Sequence, residues 1–294
     1  MPRVTTAFAA ALSLFLPLGC PLLVGLSPTI VIGAEVLYTL TASAQTAENW
    51  FDSGTNKYEN GDYQAAIIDY TRAIEMKPDY ADAYNNRGAV REKLKDYNEA
   101  IIDYTKAIEI NPNHAIAYKN RGVAKYILKD YQEAIVDFNK ALEINPDYAD
   151  AYYNRGIGKN KLKDYSGAIA DYTNAVEINS DFAEAYNNRG VARTQFNDYE
   201  GAIADYTKAI EINPDFAEAY NNRGAVKEKL SDYQGAIADF TYAIEIRADY
   251  ANAYQNRGIV KEDSGDLKGA CNDWRKAAEL GMPKAAEWVK KQCW

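Results

Sequence analysis

The chain of 294 residues contains a single histidine, His114, and three cysteines, Cys20, Cys271 and Cys293. That scarcity empties most of the catalytic and metal-site inventory. A zinc site gathers about four His, Cys or carboxylate ligands, and His114 has neither a cysteine nor a second histidine near it in sequence. No paired nucleophile and base and no Gly-rich phosphate loop can be picked out, so an enzyme is not expected, and neither is a cofactor or a metal. An excess of positive charge is missing as well. With 33 Lys and Arg against 42 Asp and Glu the formal net charge is −9, which argues against nucleic acid as partner, because that affinity comes largely from clustered cations releasing counterions.

What is present is a period. Seven copies of 34 residues follow one another at 47–80, 81–114, 115–148, 149–182, 183–216, 217–250 and 251–284. In the second copy the recurring positions are Tyr84, Gly88, Ala100, Tyr104 and Ala107, closed by Pro112. Their spacing predicts two amphipathic helices joined by a short turn at Lys95-Asp96. Gly88 and Ala100 lie near the helix centres, where minimal side chains let the two backbones approach. Asp96 with Glu99 and Asp130 with Glu133 read as capping-box pairs for the second helix, and Asp79 with Asp82 and Asp215 with Glu218 as starts of the first. His114 occupies a slot that is Tyr or Phe elsewhere (Tyr80, Tyr148, Phe182, Phe216, Tyr250) and is read as a packing residue. A fixed period of this size marks a stack of equal supersecondary units, so function is sought on a repeated surface.

The aromatic, glycine, alanine, aromatic, alanine and proline positions resemble the tetratricopeptide repeat, in the form found in exported bacterial proteins. The resemblance implies an all-α fold, a right-handed superhelix of seven repeats with a C-terminal capping helix. Two positions depart from the family pattern. Where it favours leucine the chain has Arg87, Arg121, Arg155, Arg189, Arg223 and Arg257; where it favours tyrosine it has Lys57, Arg91, Lys125, Lys159, Arg193, Lys227 and Lys261. Each second helix carries an aspartate (Asp69, Asp103, Asp137, Asp171, Asp205, Asp239, Asp273). A half-buried guanidinium needs its charge and donors matched, so these acids are expected to pair with the arginines, within a copy or to the next one. Ser53 replaces arginine in the first copy and leaves that register open.

In this family the first helices line the concave face, and asparagine at the matching position holds the backbone of an extended peptide. The resemblance implies that role for Asn86, Asn120, Asn154, Asn188, Asn222 and Asn256. Rungs roughly 10 Å apart match about three residues of extended chain. Neighbouring positions vary along the stack, and Lys119, Tyr126 and Tyr153 at its middle are the expected anchor for a protein or peptide ligand. An alternative is an assembly or tethering factor acting by self-association or by organising a membrane complex.

The two ends differ from the middle. Residues 4–40 are mostly small and apolar and lead to Ala42-Ser43-Ala44, resembling an export signal cleaved after Ala44. An uncleaved membrane anchor over 22–40, or a lipoprotein box ending at Cys20, are the competing readings; the first places the protein outside the cytoplasm, in the periplasm or secreted, the second on a membrane. At the other end, 285–294 reads as a solvating half-repeat. Its antiparallel hairpin with the last second helix sets Cys271 opposite Cys293, a candidate disulfide in an exported protein.

Overall fold

The computed structural model describes residues 46–293. The signal or anchor reading of 1–44 therefore lies outside the described residues. Fifteen α-helices follow one another within them. The first helices of the repeats are α1 Ala47–Glu59, α3 Ala81–Lys93, α5 Ala115–Ile127, α7 Ala149–Lys161, α9 Ala183–Gln195, α11 Ala217–Lys229 and α13 Ala251–Asp263. The second helices are α2 Tyr63–Met76, α4 Tyr97–Ile110, α6 Tyr131–Ile144, α8 Tyr165–Ile178, α10 Tyr199–Ile212, α12 Tyr233–Ile246 and α14 Leu267–Glu279, and α15 Pro283–Gln292 closes the stack. Every helix packs on its neighbours in sequence, and each first helix also touches the first helix of the next repeat. The first helices thus form the closely spaced wall of the all-α solenoid.

Within a repeat the glycine is a seat for the ring of the second helix. A Cβ on Gly88 would stand 2.8 Å from Cε1 of Tyr104, and one on Gly122 would stand 2.6 Å from Cε1 of Phe138. Both rings are fully buried. We expect Gly88→Leu to lower stability by about 1–3 kcal/mol through overpacking, measured as a fall in the urea midpoint. Recovery in the Gly88→Leu, Tyr104→Ala double variant would show that the ring is what the new side chain meets.

The turn between the two helices uses a Schellman closure. In the second repeat Asp96 N donates to Arg91 O and Lys95 N to Glu92 O, each at 2.9 Å. Lys95 accordingly has φ of 64°, a left-handed conformation shared by Lys129, Lys163, Asn197 and Ser231, while Gly61 and Gly265 take it in the first and last repeats.

Capping differs from the expectation. Asp96 and Asp130 occupy the N-cap, but their side chains make no capping hydrogen bond. Glu99 and Glu133 instead lie 3.4 Å from Arg91 and 3.8 Å from Lys125. Asp164, Asp198, Asp232 and Asp266 do cap, each on the amide of a glycine three residues on. A Cβ at those glycines would come within 2.0–2.2 Å of the capping carboxylate as placed; before an alanine the cap is longer, Asp62 accepting from Ala65 N at 3.3 Å. Asp79 and Asp215 also miss the cap: Tyr80 and Phe216 hold it. Their expected partners are engaged at the far end of their own repeats, Asp82 meeting His114 Nε2 at 3.1 Å and Glu218 meeting Arg247. His114 is buried, as a packing residue would be. It also caps α5, its Nδ1 accepting from Ala117 N.

At the C-terminal end α15 lays Ala285 and Trp288 over Ala270, Trp274 and Ala277 of α14. Cys271 and Cys293 are joined by a disulfide, with 5.5 Å between their Cα atoms. None of the described helices is long and apolar enough to cross a membrane.

Candidate peptide-binding groove

Ala83, Gly88 and Val90 turn one face of α3 into the repeat interior, and the pattern recurs in the first helices of the later repeats. Asn86, Asn120, Asn154, Asn188, Asn222 and Asn256 are left half-buried on the first-helix wall. Depressions form where neighbouring first helices meet. One of about 200 Å³ is lined by Thr55, Tyr58, Tyr70, Asn86 and Ala89, and one of about 130 Å³ by Thr194, Tyr206, Asn222 and Ala225 among others. Each brings together a ladder asparagine, a side chain from the third turn of the preceding first helix and a ring from the second helix below.

The asparagines are not free on both sides. Asn120 Nδ2 donates to Asn85 Oδ1 at 3.1 Å, Asn222 to Asn187 at 3.0 Å and Asn256 to Asn221 at 3.1 Å, while Asn188 donates to the Tyr153 hydroxyl at 3.1 Å. One N–H of each therefore ties a repeat to its predecessor through the residue standing one place before the predecessor's own asparagine. This inter-repeat bond was missed from the sequence, although its signal, Asn-Asn pairs at a 34-residue period, was visible. Two rungs lack it: Asn86 follows Phe51, which offers no acceptor, and Asn154 Nδ2 donates to the Asp150 carbonyl of its own helix at 2.7 Å.

At the middle of the wall Lys119 and Tyr126 lie two turns apart on one face of α5. The Tyr126 ring lies tilted against that of Tyr131, 5.3 Å between centroids. Tyr153 is wedged against Phe182 at 4.7 Å and Tyr172 at 6.0 Å, so much of its ring serves packing. Burial raises both phenols above their ordinary range, Tyr153 and Tyr126 alike. Under Tyr153, the buried Tyr172 hydroxyl has no partner among the described residues, and burial pushes its titration up. Farther along, burial takes the Tyr206 phenol up to about 12 against the opposing effect of its bond to Thr194. Burial, helped by Asp263, also raises Glu228.

The arginine row belongs to the frame and not to the wall. Pairing is within the copy: Nη2 of Arg87, Arg121, Arg155, Arg189, Arg223 and Arg257 lies 2.6–2.8 Å from the aspartate sixteen residues on. The second systematic cation, one helical turn later, takes the other oxygen of the same carboxylate at 2.8–3.0 Å, from Arg91 in the second copy to Lys261 in the seventh. Nη1 of each arginine reaches back to the preceding repeat, to Thr71, Thr105, Asn139, Thr173, Thr207 or Thr241. The guanidinium also lies 5.3–5.7 Å from the ring three residues earlier, Tyr84 in the second copy. In the first copy Asp69 is held by Ser53 and Lys57, each at 2.6 Å.

Family models for the tetratricopeptide repeat match residues 81–114, 115–148 and 217–250, and a TPR repeat model matches 54–95, 160–195 and 192–231. Together they cover more than half of the chain, which belongs to the tetratricopeptide repeat family. Solved structures agree. YrrB, described as a TPR protein with an unusual peptide-binding site, is 27% identical with a TM-score of 0.55 over 63% of this chain and 95% of its own. A tetratricopeptide repeat protein from Parabacteroides merdae is 23% identical with a TM-score of 0.63 over 84% and 98%. MamA is 26% identical with a TM-score of 0.53 over 59% and 95%. No curated protein matches the chain.

Proposed function

We propose that the first-helix wall binds an extended peptide or a partner helix, and that the protein acts as a non-enzymatic interaction scaffold. The observation that carries this reading is the row of half-buried asparagine amides from Asn86 to Asn256, of which Asn120, Asn222 and Asn256 each keep a carbonyl oxygen and a second N–H beyond the one engaged between repeats. The peptide-binding site ascribed to YrrB supports it by likeness of fold and sequence. Lys119, Tyr126 and Tyr153 supply anchoring at the centre. The site of action is outside the cytoplasm or at a membrane, a reading supported by the export-like residues 1–44 and by the Cys271–Cys293 disulfide, a bond favoured in oxidising compartments. The test is partner capture from the source extract by the chain carrying both Asn154→Ala and Asn188→Ala. Binding falls at least tenfold while helical circular dichroism is unchanged; undiminished binding removes the ladder from the account.

A second reading, assembly through the outer face, is favoured by one observation. Ile68, Ile102 and Val136, at matching positions of α2, α4 and α6, are 50–57% exposed, whereas the equivalent positions in the next three repeats are Ala170, Ala204 and Ala238. On this reading light scattering after size exclusion shows mass growing with concentration, and Ile102→Lys abolishes the growth. A constant monomer mass rejects it.

A further inference from the structure

The last two helices form the basic end of an acidic molecule. Residues 267–293 carry six Lys and Arg against three Asp and Glu, while the chain as a whole has a formal net charge of −9. One of those three acids, Asp273, is buried and already holds Arg257 and Lys261. Beside the Cys271–Cys293 bridge the positive charge lines a cavity. It measures about 300 Å³ and is walled by Leu267, Lys268, Cys271, Arg275, Gln292 and Cys293, a size near the lower limit for small-molecule pockets.

None of those six residues is acidic. Lys268, Cys271 and Arg275 follow one another at spacings of three and four on α14 and so share one helix face, with the half-cystine between the two cations. Both cations are exposed, and neither meets a carboxylate within ion-pair distance among the described residues. Arg275 makes one long bond, Nη1 donating to Asn272 Oδ1 at 3.3 Å. Leu267, 45% exposed, adds an apolar wall. Of the two sulfur residues Cys271 is buried and Cys293 only half-buried, so Cys293 is the one open to approach.

We infer that this cavity is a thiol-exchange site, which admits a small anionic thiol and opens the Cys271–Cys293 bridge. The site is separate from the first-helix wall and independent of what that wall binds. The incoming thiolate attacks Sγ of Cys293 and forms a mixed disulfide, and the electron pair of the broken S–S bond leaves on Sγ of Cys271. A second thiolate of the same kind attacks the sulfur of the first and releases Cys293. Two small thiols are thereby oxidised to one disulfide, the bridge is reduced to two cysteine thiols, and the two protons pass from the former to the latter. Lys268 and Arg275 serve both ends of the first step: they draw in the anion, and they stabilise the thiolate of Cys271, since neighbouring cations favour thiolates and a better-stabilised thiolate leaves faster. Opening frees α15, whose Trp288 and Val289 pack on the core around Trp274, and uncovers that end of the stack.

The experiment times bridge opening in the oxidised chain by 2-mercaptoethanesulfonate, 2-mercaptoethanol and cysteamine, which are anionic, neutral and cationic thiols of similar size. Samples are quenched with acid and the opened bridge is counted by peptide mass spectrometry. Each rate is divided by that of the same thiol on a small uncharged disulfide, which removes intrinsic reactivity. The net charge of the chain by itself favours the cationic thiol. Expected is the reverse order, with the sulfonate leading the neutral thiol about tenfold at about 0.01 M salt, as for local electrostatic attraction, and losing that lead at about 1 M salt, where screening is strong. Lys268→Gln together with Arg275→Gln removes the lead and also slows the neutral thiol about two- to fivefold, because Cys271 has become a poorer leaving group. A cationic lead, three equal rates, a lead that survives high salt, a lead kept in the double variant, or a bridge that none of the three thiols opens in the folded chain overturns the site. An unchanged neutral rate in the variant overturns the role given to the cations at Cys271. The salt series is read on the natural chain and decides the matter even where the variant does not fold.

Discussion

Asp137→Ala lowers the stability of the chain by about 3–5 kcal/mol, the range for removing one partner of a buried ion pair. The carboxylate is 2% exposed and is shared by Arg121 and Lys125, which are only 16% and 18% exposed. Its removal leaves two cations facing each other with little access to water, so repulsion adds to the lost bonds. The effect spreads across the repeat boundary, because Arg121 also holds Thr105 of the preceding repeat and lies over the Tyr118 ring. Asp69→Ala is the internal comparison: its cation, Lys57, is 38% exposed and can turn to solvent, so the loss there is smaller. Urea denaturation followed by far-ultraviolet circular dichroism measures both. An Asp137→Ala loss below about 0.5 kcal/mol, the usual range for surface changes, shows the triad to be inert.

Replacing Cys271 and Cys293 together by alanine costs about 3 kcal/mol, the loop-closure value for a bridge over a separation of 22 residues. The loss is local. α15 packs chiefly on α14, through Trp288 at 5.3 Å from Trp274 and the alanines beneath them. Stacked repeats contact only their neighbours, so their stability is a sum of local and nearest-neighbour contributions. Native-state hydrogen exchange shows α14 and α15 opening first in the variant, while α5 to α8 keep their protection. Equal protection of α15 with and without the bridge contradicts this assignment.

The repeat boundaries and the helix pairs were legible in the sequence because a 34-residue period repeats the same physical demands seven times. Gly88 and Tyr104 announced a close approach, and α3 and α4 pack as those residues require. The ion network was half legible. Both cation rows stood out as departures from the family pattern, and their spacing of four residues puts them on one helix face, yet only the arginines were matched to the aspartates. What the sequence did not display was competition for hydrogen bonds. Asp96 fits an N-cap by type and position as well as Asp164 does; the glycine three places on admits the Asp164 bond at 3.0 Å, an alanine leaves Asp62 a longer one at 3.3 Å, and Asp96 and Asp130, which precede glutamates there, make none. Likewise Asn120 reads as a free rung until Asn85 is brought beside it by the stacking of repeats.

The account is tested most directly by photo-crosslinking in the source organism's extract, with a benzophenone side chain placed at Ile157 on the first-helix wall or at Ala170 on the outer face of α8. The account predicts one partner captured from position 157, lost in the Asn154→Ala, Asn188→Ala background, and none from position 170. Capture from position 170 alone would contradict it and move recognition to the opposite side of the solenoid.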